Sequence, residues 1–535
     1  MTNRDRFPRQ RAPHSPASGH ERASGTETTS RRGRGRLGLR ASFVLAVAAG
    51  AAFAAAAPPR GWWPLVPLGV AMWVLALRGR TLRQRAGIGA ATGLVWFSSS
   101  LYWLSDFAVA GYLAVTVVET ALLVAVACAV PGSTPGRPWH GWWAVPALLM
   151  LLDAAQTAFP FSGFPLPTLV LSQLDGPFAD AAPVGGSLLV TGLAAAAGAG
   201  LAATITATGR QRVVVLAATL AGSVAIPPVG AAVAAATTTA TGRLDTAIVQ
   251  GGGPRGLRAV FTDPQDTTDR HLAVARDITA SPDLVLFPEN VITSRGPVIG
   301  GPNDRAVAEL ARRLAAPVIA GVTETQGSGF RNAALLWDAR GQQTGRYEKE
   351  HRVPFGEYIP GRALLEKVTD LTALVPRDAI VGDGTAALDV AGRRLGVVIS
   401  YEVLFADRVR EAVRAGGELV LVPTNASSYV TDDVPSIEVA AARLRALESA
   451  RSVIQAAPTG YSAVVDPDGT VRALSPLGDP ALLREPVTLR TGLTPYTRLG
   501  DGPYIILAAA AVAVAWLPAA RRRGRIVGSP RPAER

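Results

Sequence analysis

Two residues at the ends of apolar runs, and one lysine among charged neighbours, have the types needed for covalent chemistry. Glu289 follows Leu284-Val285-Leu286-Phe287-Pro288, and Ser400 closes Leu395-Gly396-Val397-Val398-Ile399. Lys349 lies in Tyr347-Glu348-Lys349-Glu350-His351-Arg352-Val353-Pro354-Phe355-Gly356-Glu357 and is one of only two lysines among 53 basic residues. Arg holds its charge permanently and needs room for a planar fork; Lys is a compact point charge whose pKa burial can lower. A carboxylate can act as general base toward a nucleophile, and an ammonium can stabilise the oxyanion of an acyl tetrahedral intermediate. The reaction class is acyl transfer or amide hydrolysis, with serine as the nucleophile. Each residue also has a plainer reading, as loop cap, solvated lysine and turn serine. What favours the chemical reading is that strand ends in an α/β fold converge on one crevice.

The elements that must position them lie in residues 243–475, where short β-rich apolar runs alternate with helical patterns. Strands are expected at Asp245–Val249, Leu284–Phe287, Pro317–Gly321, Ala333–Trp337, Leu395–Ile399, Leu419–Val422, Val453–Ala457 and Ser462–Val465. Helices are expected near Asp266–Thr279, Asp304–Leu314, Ala406–Ala415 and Ser436–Ser452. In the last of these, Ile437, Ala440, Ala441, Leu444 and Leu447 form the buried stripe. Gly251-Gly252-Gly253 lacks the spacing and downstream acid of a dinucleotide loop and reads as a flexible turn.

The rest of the chain is apolar. Of 535 residues 48% are hydrophobic and 18% charged, and the apolar ones concentrate in the first half. Stretches of about 20 residues, long enough to cross a hydrocarbon layer, are marked at 38–58, 61–77, 86–106, 108–130, 141–157, 181–206, 213–234 and 503–519. Residues 1–37, rich in Arg, Ser, Pro and Gly, read as a disordered cytoplasmic tail, and 520–535 as a cytoplasmic tail. The net charge of +12 does not point to nucleic acid, because the arginines flank apolar spans. Ten fall in residues 1–40, and others follow as Arg78, Arg80, Arg83, Arg85, Arg137, Arg210, Arg212 and Arg521 to Arg523. Every second loop is basic, which puts both termini in the cytoplasm and the α/β domain outside. The sole cysteine, Cys128, falls within a span and permits no internal disulfide.

Several strings in this chain resemble the apolipoprotein N-acyltransferases, membrane members of the nitrilase superfamily. They are Phe161-Ser162-Gly163-Phe164-Pro165, Phe287-Pro288-Glu289, Val353-Pro354-Phe355-Gly356-Glu357, Tyr401-Glu402, Ala442-Arg443-Leu444-Arg445-Ala446-Leu447-Glu448 and Thr491-Gly492-Leu493-Thr494-Pro495-Tyr496. The resemblance implies a multi-span α-helical membrane domain plus an α/β nitrilase-like αββα sandwich. It implies a multi-pass protein of the bacterial cell membrane that moves an acyl chain from a phospholipid to the amine of a diacylglyceryl-cysteine lipoprotein. By that pattern Glu289 is the general base, Lys349 the oxyanion-stabilising cation and Glu357 a second carboxylate near the site, while Tyr401 and Glu402 support the nucleophile elbow. No metal or organic cofactor is implied.

The chain departs from the pattern at the nucleophile, where Ser400 stands in place of the family's cysteine. A serine hydroxyl needs activation by an adjacent base that a thiol does not, and a carboxylate beside a cationic lysine is expected to have a low pKa. Ser427-Ser428 replace an aromatic pair, Pro458 a polar residue and Leu166 a tryptophan. Two main readings stay open: an acyltransferase working through Ser400, and a non-catalytic membrane paralogue that binds lipoprotein or lipid. A secreted-face amidase is a third.

Overall fold

The computed structural model describes residues 37–106, 109–131, 142–206, 209–367, 372–373 and 375–527. The tails expected at 1–37 and 520–535 lie outside the described residues, except for Leu37 and the stretch to Val527, which continues the last helix.

Seven helices form where the apolar runs predict them: α1 (Leu39–Ala56), α2 (Leu65–Leu77), α3 (Leu82–Ser100), α4 (Val109–Ala129), α5 (Val145–Gln156), α6 (Ala182–Thr206) and α7 (Gly209–Thr237). By length and composition, three stretches among the described residues can cross a membrane: Leu39–Ala56, Val109–Ala129 and Ala179–Thr206. Leu65–Leu77, Val145–Gln156, Ala225–Thr237 and Gly502–Leu517 are apolar but shorter. Helix α3 is long enough, but it carries Arg83 and Arg85 at its start and Ser98 to Ser100 at its end, which dilutes its apolar character. Polar side chains within these helices face inward and pair: Gln156 donates to Glu119 at 2.9 Å and Thr191 to Asp153 at 2.9 Å, as apolar surroundings require.

The α/β region follows without a break as β1 (Thr238–Gln250), α8 (Leu257–Val260), α9 (Pro264–Arg276), β2 (Leu284–Leu286), β3 (Ile292–Ser294), α10 (Pro302–Leu314), β4 (Val318–Gln326), β5 (Gly329–Trp337) and β6 (Gln343–Glu348). It continues through α11 (Arg362–Leu365), β7 (Ala387–Val390), β8 (Arg393–Val397), α12 (Ala406–Arg414), β9 (Val420–Pro423), α13 (Asp433–Ser449), β10 (Val453–Ala456), β11 (Ala463–Val465), β12 (Val471–Leu474) and β13 (Ala481–Gly492), and ends with α14 (Pro495–Leu499) and α15 (Gly502–Val527).

Two sheets result. One runs β13-β1-β2-β4-β5-β6 with β3 paired to β4, and the other runs β12-β11-β10-β9-β8-β7. The first overruns the 243–475 segment at both ends, because β13 pairs antiparallel with β1 from Thr238↔Gly492 to Gln250↔Ala481. In each sheet the central strands are parallel and covered on both faces, which is why they read as continuous apolar runs.

The strand period of two sorts the side chains into layers. Leu286, Ile319, Val397, Leu421 and Ile454 fill the space between the sheets. Val285, Val318 and Val322 face α9 and α10. Val420, Val422, Val453 and Val465 face α12, α13 and the helical region beyond. The architecture is an αββα sandwich, with the α12–α13 layer also packed on the helical region. That double contact explains a departure from the expected stripe on α13, since all its residues but Asp433, Ser436 and Arg443 are buried.

Two of the family-like strings form the joint between the halves. Glu448 is ion-paired with Arg445 at 3.0 Å and accepts from the Ser187 N–H at 3.0 Å. Thr494 caps α14 by accepting from Thr497 N and donates to the Glu448 carbonyl at 2.6 Å. Tyr496 then lies against Gly186 (φ +60°), where a Cβ would come within 2.3 Å of the ring. Only glycine suits both that approach and that backbone.

Candidate active site

Glu289, Lys349 and Ser400 each sit just past the end of a strand of the first or second sheet. Glu289 leaves the end of β2 by way of Pro288, and the backbone there presses on β4: a Cβ at Gly321 would lie 2.4 Å from Glu289 Cα and 2.5 Å from the Pro288 carbonyl. Gly321 N–H in turn donates to that carbonyl at 3.0 Å. Lys349 leaves β6 and donates its backbone N–H to the Asn332 carbonyl of β5 at 2.9 Å. Ser400 begins a 3-10 turn, Ser400–Leu404, just past β8, with φ +51°. A serine in the left-handed region is strained, and such strain collects at nucleophile elbows.

Lys349 lies between two carboxylates, with Nζ 2.9 Å from Glu289 Oε1 and 2.9 Å from Glu357 Oε1. The same two oxygens accept from Asn332 Nδ2 at 2.7 and 2.8 Å. Glu357 is held further by the Val353 N–H, which donates to Oε2 at 2.7 Å. Lys349 is 2% exposed and Glu289 3%.

Here the electrostatic expectations need correcting. Burial opposes the Lys349 charge, but Glu289 and Glu357 outweigh it and hold the ammonium above the ordinary lysine range, not below it. Burial also raises Glu289 above the usual carboxylate range; the lysine opposes that rise and Glu357 adds to it. The site keeps its cation firmly charged and is short of positive charge overall.

Ser400 is buried, and its hydroxyl donates to Glu438 Oε1 on α13 at 3.4 Å. No hydrogen bond joins it to Glu289 or Lys349, whose bonds go to each other, Asn332 and Glu357. Glu438 Oε1 also accepts from Thr424 Oγ1, at the end of β9, at 2.6 Å, while Oε2 has no partner. Burial pushes Glu438 up to about 7, opposed by Thr424 and assisted by the Glu289 charge. Half-buried Tyr429 feels the charges of Glu438, Lys349, Glu289 and Glu357 and so borders the same crevice.

Glu402 and Tyr401 hold the surrounding loops. Glu402 is fully buried. Its Oε1 accepts from the N–H groups of Glu350 and His351 at 2.7 and 3.1 Å, and its Oε2 from Tyr347 Oη and Ile399 N at 2.7 Å each. Buried Arg408 donates to Tyr347 Oη at 3.0 Å and pairs with Glu350 at 2.7 Å. One carboxylate thus ties the Lys349 loop to the Ser400 elbow. Tyr401 Oη donates to the Gly163 carbonyl at 2.9 Å, and Tyr358 Oη to the Phe161 carbonyl at 3.2 Å. The Phe-Ser-Gly-Phe-Pro string therefore borders the site from the helical side.

The remaining departures surround the crevice. Ser427 accepts from Thr459 Oγ1 at 3.0 Å, and the Pro458 carbonyl accepts from Gly252 N at 2.9 Å. The Gly251-Gly252-Gly253 turn is thereby pinned on the second sheet. Leu166 is core. Among the described residues no group of three or more His, Cys, Asp or Glu is arranged to hold a metal ion.

Two residues of this site escaped sequence reasoning. Asn332 is an ordinary mid-strand asparagine with no local signal. Glu438 did leave one: it stands one turn from Val434 and beside Ile437 on the apolar face of its helix, where a carboxylate is out of place.

Comparison with known proteins adds the following. The profile of the apolipoprotein N-acyltransferase N-terminal domain matches residues 49–200, and that of the carbon-nitrogen hydrolases matches residues 245–482. The apolipoprotein N-acyltransferase of Photobacterium profundum is 28% identical over 509 residues, covering 90% of this chain and 96% of its own. That of Mycolicibacterium smegmatis is 29% identical over 528 residues, covering 91% and 86%. Among solved structures, an amidase from Nesterenkonia sp. is 22% identical with a TM-score of 0.36, covering 50% of this chain and 96% of its own.

Proposed function

This chain belongs to the apolipoprotein N-acyltransferase family and is an acyltransferase of the nitrilase superfamily; from that premise we propose that it transfers a phospholipid acyl chain to the amine of a diacylglyceryl-cysteine lipoprotein. The observation that carries this reading is the buried Glu289–Lys349–Glu357 cluster beside the strained Ser400 elbow.

In the proposed cycle Ser400 Oγ attacks the phospholipid ester carbonyl, a C–Oγ bond forms, and the lysophospholipid alkoxide leaves with a proton. The acceptor amine then attacks the acyl-serine, the amide forms, and Ser400 recovers its proton. Lys349 has three N–H donors, of which two are given to Glu289 and Glu357. The third is free to meet the oxyanion at each tetrahedral stage, an interaction worth about 10²–10³ in rate in comparable sites. Glu289 serves the cycle as a general base, and Glu357 helps fix the lysine. The basic loops support an orientation with the α/β domain outside the cytoplasm. A reporter fused after Thr241 should then behave as extracytoplasmic and one after Arg212 as cytoplasmic.

The other reading, a non-catalytic membrane module that binds lipid or lipoprotein, draws on one observation: the Ser400 hydroxyl is bonded to Glu438 and not to Glu289. Mass spectrometry of lipoprotein N-termini, with this gene as the only copy, separates the two. N-acylation that disappears in Ser400→Ala supports the enzyme. Absence of N-acylation in wild type and in Ser400→Cys alike leaves the binding module.

A further inference from the structure

We propose that Glu438 is a catalytic residue, the immediate proton acceptor of Ser400, so that this chain runs acyl transfer through a Ser400–Glu438 pair; the proposal rests on the acyltransferase reading above. Three features of the geometry carry it. The Ser400 hydroxyl has one acceptor, Glu438 Oε1, at 3.4 Å, a separation typical of a catalytic bond that tightens only when substrate is bound. Glu438 is 5% exposed, projects from α13 into the crevice and leaves Oε2 without a partner. Glu289 has Oε1 already occupied by Lys349 Nζ and Asn332 Nδ2, at 2.9 and 2.7 Å.

The groups facing Glu438 come from four elements. Ser400 lies on the elbow and Thr424 at the end of β9, with Glu289 and Lys349 at the ends of β2 and β6. Tyr429 follows β9. Burial first, and then Glu289, raise Glu438 to about 7 against the pull of Thr424, Ser400 and Lys349. A carboxylate so raised accepts a proton from a hydroxyl far better than an ordinary one does.

In the first half-reaction the Oγ proton passes to Glu438 Oε1 as the C–Oγ bond forms, and from there to the departing lysophospholipid oxygen as the ester C–O bond breaks. In the second half-reaction Glu289 takes the proton lost by the acceptor amine and releases it to solvent as the product leaves. Glu438 acquires one from solvent and returns it to Oγ as the acyl C–Oγ bond breaks. Atoms and protons balance, and no further reactant is needed.

The test uses the full-length protein in phospholipid vesicles and compares wild type, Glu438→Gln, Ser400→Cys and the double variant. The readouts are acyl-enzyme formation by intact mass and the rate of labelling by a fluorophosphonate, a probe that needs only an activated hydroxyl. In the serine background Glu438→Gln should cost about 10²–10⁴-fold and abolish a rate increase centred near pH 7. In the cysteine background it should cost less than about threefold in acyl-enzyme formation, because a thiol ionises without a strong base. A merely structural role would lower both backgrounds alike and leave the pH limb in place, which overturns the proposal. So does a silent wild type beside an active Ser400→Cys, although the acyltransferase scaffold then stands. Silence in both sinks the acyltransferase reading and the Glu438 assignment together.

Discussion

Replacing Lys349 with methionine keeps the bulk of the side chain and removes the one charge that holds Glu289 and Glu357 together. Both Oε1 atoms bond the same ammonium at 2.9 Å and the same Asn332 amide at 2.7 and 2.8 Å, so the variant buries two facing carboxylates with a single neutral donor between them. Breaking a buried pair by removing one partner costs about 3–5 kcal/mol. For a domain of this size each kcal/mol lowers Tm by about 2–4 °C, which predicts a fall of roughly 6–20 °C at pH 8.

The pH dependence has a definite sign. In the wild type the raised Lys349 contributes stability that is complete below the unfolded lysine value, about 10.4, and is lost only as pH rises past it; its contribution is therefore flat from pH 5 to 9. In the variant the two facing carboxylates repel one another with no cation between them. Their cost appears as pH rises above the unfolded carboxylate value of about 4.3, so the deficit should shrink markedly at pH 5. Lys349→Met/Glu289→Gln removes the repulsion and should recover about half of the loss. The assay is thermal unfolding of the detergent-solubilised full chain at pH 5 and pH 8. A single variant within about 2 °C of wild type at pH 8, or an equal effect of Glu289→Gln in both backgrounds, refutes the coupled-cluster account.

Gly321→Ala should misplace Glu289. A methyl 2.4 Å from its Cα forces movement approaching an ångström, expected to lower the acylation rate about 100-fold and stability by about 1–3 kcal/mol; an unchanged rate in a vesicle assay counts against Glu289 as a functional group. Glu402→Gln turns an acceptor of four hydrogen bonds into one whose amide faces two donors. The loss should be about 1–3 kcal/mol, with faster amide exchange at Glu350, His351 and Ile399, and protection at wild-type level would contradict it. Glu438 is buried and raised to about 7, so its ionisation destabilises the fold as pH rises from about 4.3 through that value, by about 4 kcal/mol in all. Glu438→Gln should remove this slope, seen as a smaller Tm difference between pH 5 and 8; an undiminished difference would place the titrating group elsewhere.

Much of this structure is legible in one dimension. Apolar runs mark the helices from α1 to α7 and α15, because hydrophobicity of a contiguous segment is a local property. The parallel strands β2, β4, β8, β9 and β10 are legible for the same reason, being covered on both faces. So is the arrival of Glu289 and Ser400 at strand ends, whereas Lys349 follows β6, a polar strand that its own sequence does not announce. The strands that were missed, β3, β6, β7, β12 and β13, lie at or toward sheet edges or off the main path and are mostly short or polar, and what makes them strands is a partner elsewhere: Ala481–Gly492 is ordered by β1, more than 230 positions earlier.

Tertiary structure alone decided the electrostatics and the partner of the nucleophile. Lys349 is raised and not lowered because Glu289 first, and Glu357 with it, outweigh the cost of burying its ammonium. A lysine's pKa is a contest between burial and neighbours that sequence does not rank. Asn332 and Glu438 enter the site from a strand and a helix with no motif of their own, through register and packing. The serine in place of cysteine is visible in the sequence. That a buried carboxylate from α13 stands beside its hydroxyl is not, because side-chain proximity across 38 residues is set by how α13 docks on the second sheet.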